Sequence, residues 1–125
     1  MYTIAIEAGE VRMQAELRES PASTAIWDAL PLEGRASRWG DEIYFSTGLQ
    51  LELEPDATDT MPVGSLAYWP PGKAFCILFG PTPASGADGE PRLASESNSL
   101  GTVNGDATAF RAVADGAAVT IRRAG

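Results

Sequence analysis

Glu42 and Tyr44 stand two residues apart in the segment Glu42-Ile43-Tyr44-Phe45. On an extended strand, residues at i and i+2 share one face and those between them take the other. With Ile43 and Phe45 turned toward an interior, Glu42 and Tyr44 point outward, toward any groove on the outer surface. A carboxylate beside a phenol can bind a cation, orient a ligand or exchange a proton. The plainer reading is a hydrogen-bonded pair on a sheet face.

Three more aromatic residues, Trp39, Tyr68 and Trp69, lie near turns and strand ends. Large aromatic side chains there form the walls of ligand grooves, and they equally serve as core or rim packing. Tyr68 and Trp69 are adjacent, so on a strand one faces inward and the other outward. Which does which is left open by the sequence. Thr82, in Gly80-Pro81-Thr82-Pro83, offers a hydroxyl at the start of a long loop, or simply belongs to a stiff exit turn. The candidate ligand-binding set is therefore Trp39, Glu42, Tyr44, Tyr68, Trp69 and Thr82.

Other chemistries lack their residues. The chain has no histidine, which removes the His-dependent serine and cysteine triads and the commonest general base near neutral pH. No catalytic residue is assigned. The single cysteine, Cys76, sits in the apolar run Ala74-Phe75-Cys76-Ile77-Leu78-Phe79 and reads as a small core residue. Glu54, Asp56 and Asp59 match no calcium-loop spacing, so no metal is expected. Gly86-Ala87-Asp88-Gly89 lacks the strand, helix and lysine of a phosphate cradle, and no cofactor is expected. Seventeen acidic residues against nine basic ones give a net charge of −8. That balance disfavours nucleic acid and anionic lipid as partners, and the adjacent Arg122 and Arg123 are too few to form a basic patch. No signal peptide and no run long enough to span a membrane is visible; a cytoplasmic protein is expected.

The elements that must position these residues are short. The 125 residues suit one domain, which buries roughly two-thirds of the surface of the unfolded chain. Residues 2–8 and 11–17 read as a hairpin, the second strand alternating Val11, Met13, Ala15 and Leu17 with polar residues. Ser20 and Pro21 open a helix over 21–30, with Ala22, Ala25, Ile26, Ala29 and Leu30 on one face. Residues 34–45 predict two strands broken near Trp39-Gly40-Asp41, and 46–60 a less regular stretch. Residues 63–69 and 74–79 predict a central hairpin around Pro70-Pro71-Gly72-Lys73. Residues 80–97 read as a long loop, 100–103 as a strand, 107–113 as a short helix behind Asp106, and 117–123 as the closing strand.

Three strings carry a family resemblance: Trp39-Gly40-Asp41-Glu42-Ile43-Tyr44-Phe45, then Val63 through Pro83, then Asn98-Ser99-Leu100-Gly101-Thr102-Val103. Together they resemble a small family of bacterial and archaeal cyclophilin-like proteins of unassigned function, over almost the whole chain. The resemblance implies a mainly β protein, a closed eight-stranded barrel with two short capping helices. Cyclophilins isomerise X-Pro bonds with an arginine, a glutamine and an apolar pocket that includes a histidine. Here the glutamine-bearing strand corresponds roughly to Glu42-Ile43-Tyr44, the histidine is missing, and neither Arg35 nor Arg38 falls in register.

The expected function is a non-catalytic binding module whose groove takes a small molecule or an extended peptide. Two alternatives stand beside it: an enzyme, either a degenerate prolyl isomerase or one using Glu42 as acid and base, and an assembly protein whose strand edges pair with a partner or a second copy in a homodimer.

Overall fold

A computed structural model describes residues 1–124. Strands β1 (Tyr2–Ala8) and β2 (Val11–Leu17) form the first hairpin in the register Ile6 to Met13. The period of two puts Ile4, Ile6, Ala8, Ala15 and Leu17 in the interior. Helix α1 (Pro21–Ala29) starts where the Ser20 side chain accepts from the Ser23 N–H at 3.2 Å. Such a cap is worth about 1 kcal/mol. Ala22, Ser23 and Ile26 form its buried face; Ala25, Ala29 and Leu30 are only partly covered.

The remaining strands are β3 (Leu32–Arg35), β4 (Ser37–Arg38), β5 (Glu42–Ser46), β6 (Thr58–Thr60), β7 (Ser65–Trp69), β8 (Ala74–Leu78), β9 (Arg92–Val103) and β10 (Ala118–Arg123). Their order is β3-β10-β1-β2-β9-β7-β8-β5-β4, every pair antiparallel, with β6 laddered separately onto β9.

This corrects the expected closed eight-stranded barrel: the sheet has ten strands and its ladder is open, with β3 and β4 at its two margins. The margins are consecutive in the chain, separated by Ala36 alone. Ala36 exchanges backbone hydrogen bonds with Ala117 and Gly116 beside β10, whereas Ser37 and Arg38 turn away to pair with Tyr44 and Ile43 of β5. One ribbon thus changes partner at a single residue. Where the ladder stops, side chains take over. A Cβ on Gly34 would lie 2.7 Å from the ring of Phe45, so only glycine lets β5 pack against β3 there.

Two further expectations are corrected. Residues 92–97, expected in a loop, are the first half of β9, and 58–60, in the stretch read as irregular, form its partner β6. Leu93 is the one large apolar residue between Arg92 and Ser97, so no hydrophobic alternation marks the strand.

The sheet has two cores. The interior gathers Ile43, Phe45, Leu66, Phe75, Ile77 and Phe79, with Ile26 of α1 and Phe110 of the 3-10 helix Ala107–Ala112. A smaller core lies on the outer face of β7 and β8: Met61, Ala67, Ala74, Cys76, Leu78 and Leu93, with Tyr44 and Trp69 packed against it. β7 and β8 are apolar on both faces because both faces are covered, the outer one by the flap of β6 and the first half of β9.

A strap over residues 49–56 is tied down by polar side chains. Tyr68 Oη donates to the Leu49 carbonyl at 2.5 Å and accepts from the Leu51 N–H at 3.1 Å. Asn98 donates to the Glu52 carbonyl and accepts from the Glu54 N–H. The Glu54 carboxylate accepts from the Ala22 N–H at 2.7 Å and from Arg18 at 2.8 Å.

Candidate functional site

Four of the six predicted site residues meet. Trp39, Glu42, Tyr44 and Trp69, with Leu93 and Ala94 of the flap, line a cavity of about 160 Å³ on the outer face of the sheet. Each is placed by a local device. Trp39 sits in the turn between β4 and β5, where its N–H donates to the Glu42 carbonyl at 3.0 Å. That turn is pinned from behind, since the Asp41 N–H donates to the Pro81 carbonyl and Phe79 N–H to the Asp41 carbonyl. Glu42 and Tyr44 share the outer face of β5 while Ile43 and Phe45 fill the interior. Tyr44 pairs with Cys76 and Glu42 with Leu78 across the β5–β8 ladder. Trp69 ends β7, and its ring lies over the Pro70–Gly72 turn, where a Cβ on Gly72 would come within 2.8 Å of it. Its indole Nε1 donates to Ser95 Oγ at 2.7 Å, fastening ring to flap.

The other two predicted residues lie elsewhere. Tyr68 is fully buried on the inner face of β7, where its hydroxyl holds the strap; Trp69 is the one that faces out. Thr82 is buried too, its hydroxyl donating to the Arg92 carbonyl and closing the loop between β8 and β9. Sequence reading missed Leu93 and Ala94. Their only signal is the lone leucine in a polar stretch, and β9 folds over the pocket through pairings that no local pattern encodes.

The floor of the cavity is electrostatically unusual. Glu42 is 4% exposed. Its Oε1 is buried without a hydrogen-bond partner among the described residues, and it forms no ion pair there. Burial pushes the carboxyl from its ordinary 4.5 up to about 7, partly opposed by the neighbouring Cys76 thiol. The thiol is fully buried and pushed well upward by desolvation and by Glu42. It is therefore a poor nucleophile. Tyr44 and Trp69 meet with centroids 6.4 Å apart and planes at 68°, forming a corner beside the carboxyl.

A larger, more open cleft of about 280 Å³ lies on the outer face of β1, β2 and β10, lined by Glu7, Arg12, Gln14 and Arg122. Its charges satisfy one another: Glu7 binds Arg122 at 3.0 Å and lies 4.0 Å from Arg12. Among the described residues no group of three His, Cys, Asp or Glu side chains is gathered as a metal site, and Glu54 and Asp56 both bind Arg18 instead. No helix among them is long and apolar enough to cross a membrane.

Comparison with known proteins agrees with this architecture. The family model described as cyclophilin-like matches residues 2–122. The chain belongs to the cyclophilin-like family. Among solved structures, it is similar to the solution structure of the hypothetical protein AF2241 from Archaeoglobus fulgidus. The two are 39% identical, with a TM-score of 0.82, over 98% of this chain and 95% of that one. A search of curated proteins finds no match to this chain. Membership of the cyclophilin-like family fixes a fold and brings no established activity with it. Both Arg35 and Arg38 are engaged in structure: Arg35 donates to the Gly116 carbonyl, and Arg38 donates to the carbonyls of Gly40, Arg111 and Val113 and lies over the Phe79 ring.

Proposed function

We propose that this protein is a binding module whose outer-face pocket receives a side-chain-sized group of a small molecule or an extended peptide, held by Glu42 and enclosed by Trp39, Tyr44 and Trp69. One observation carries the reading. The Glu42 carboxyl lines a largely aromatic and apolar cavity, and one of its oxygens is buried without a hydrogen-bond partner among the described residues. An unsatisfied buried acceptor costs about 1–3 kcal/mol. A ligand donor removes the penalty. A 150 Å³ cavity accommodates benzene, so a pocket of about 160 Å³ suits a ring or a branched head group.

The test is a thermal-shift screen of small compounds and short peptides against the wild type and Ala94→Phe, which fills the mouth from an exposed position. The expected result is a donor-bearing compound that raises Tm in the wild type only. The proposal fails if every compound that raises Tm does so equally in Ala94→Phe.

A second reading draws on the same carboxyl. A group with a pKa of about 7 is poised for acid–base work at neutral pH. A protease-coupled proline isomerisation assay probes one version of it: a rate equal to buffer removes prolyl isomerisation.

A further inference from the structure

We infer that the pocket selects an organic cation, an ammonium head group seated in the corner of Tyr44 and Trp69 with its N–H directed at Glu42. The inference rests on the reading of this cavity as a binding site and names the class of its ligand.

Three observations converge. The first is the wall. Trp39, Tyr44 and Trp69 all line one small cavity, and the rings of Tyr44 and Trp69 meet at 68°. Aromatic enclosures of this kind attract cations through the ring quadrupole, most strongly when the charge is desolvated. The second is the floor. Glu42 lines the cavity with its Oε1 lacking a hydrogen-bond partner among the described residues, and among those residues no cationic side chain lines the cavity. The counter-charge is therefore one that a ligand must bring. The third is the exclusion of other ligands. An anion meets a carboxylate at the floor. An apolar group leaves the acceptor unsatisfied. A neutral hydroxyl or amide satisfies the acceptor and gains little from the rings. An alkylammonium satisfies both.

Binding is then linked to a proton. The titratable groups facing Glu42 are few: Cys76 from β8 and Tyr44 from its own strand. Neighbouring Asp41 is engaged by Arg38 and Arg111. β7 and the flap contribute Trp69, Leu93 and Ala94, which do not titrate. Below neutral pH the cation must displace a proton from Glu42, so its affinity falls with pH, approaching tenfold per unit.

The probes are tert-butylammonium and its neutral counterpart tert-butanol, titrated at about pH 8 and followed by the NMR signals of the three indole N–H groups. Trp27 stacks on Tyr2 outside the pocket and is the internal control. The expected result is movement of the Trp39 and Trp69 signals without Trp27. Tert-butylammonium should bind at least about tenfold tighter than tert-butanol, with that preference lost in Glu42→Gln and both ligands lost in Ala94→Phe. Lowering the pH to about 5.5 should weaken the ammonium in the wild type and leave Glu42→Gln unchanged. If tert-butanol binds as tightly as the ammonium, or Glu42→Gln keeps the preference, the cation assignment is overturned and the pocket still stands as a binding site. If neither probe moves the Trp39 and Trp69 signals at any soluble concentration, the assignment and the pocket reading fall together.

Discussion

Glu54 and Glu42 both have largely covered carboxylates, the first with a side chain 9% exposed on a half-buried residue and the second on a residue 4% exposed, yet their surroundings differ completely. Glu54 accepts from the backbone of α1 and from Arg18, and both of its oxygens are used. Glu42 faces aromatic rings and a thiol, and one of its oxygens has no partner among the described residues. Glu54 joins the strap to the helix and to Arg18 at the end of β2, so its burial serves the fold. The Glu42 side chain has only the neighbouring Cys76 thiol beside it and forms no ion pair among the described residues. Two glutamates with largely covered side chains thus divide into a structural joint and a group left free for the recognition role proposed above, and what divides them is the supply of donors rather than depth.

The comparison is broken or sharpened by mutation. The largest loss of stability belongs to Glu54→Ala, which leaves the Ala22 N–H without its partner and Arg18 with Asp56 alone; about 3 kcal/mol is expected in urea unfolding. A loss below about 0.5 kcal/mol would erase the distinction.

Glu42→Gln should act in the opposite sense, and only at higher pH. Below 4.5 the Glu42 carboxyl is neutral in folded and unfolded chains alike. Between 4.5 and about 7 only the unfolded chain ionises. The wild type therefore loses stability as pH rises through this window, and the loss levels off above it. At about pH 8 the glutamine variant should be more stable by about 3 kcal/mol, read as a Tm several degrees higher, with the two proteins matching near pH 4. Equal Tm values across the range would show that Glu42 is not buried as described.

The smallest effect belongs to the exposed cleft. Arg122 holds the Glu7 carboxyl below its ordinary range, but such exposed pairs are screened by solvent and salt. Glu7→Gln should leave the urea midpoint unchanged within error.

The Glu42 side of this contrast is legible in the sequence. Alternation in Glu42-Ile43-Tyr44-Phe45 assigned the two faces of β5 correctly, and adjacency required Tyr68 and Trp69 to diverge. The flap was not legible, because residues 92–97 are polar, lack alternation and become a strand only by pairing with β6 and continuing the same strand as 98–103. Nor was the strap: Glu54, Asn98 and Tyr68 come together through separations of 17 to 46 residues, and no local pattern announces such a meeting. Thr82 was singled out for its hydroxyl, but that hydroxyl is consumed by the Arg92 carbonyl.

The ribbon from Leu32 to Arg38 has a consequence for engineering. Because both selvedges of the sheet are woven into those few residues, cutting the chain at Ala36 would fray β10 and β5 at one stroke, leaving each with bare N–H and C=O groups open to a neighbouring molecule. New termini or an inserted tag belong in the Gly86–Gly89 loop instead, where the backbone can be parted without unpicking either border.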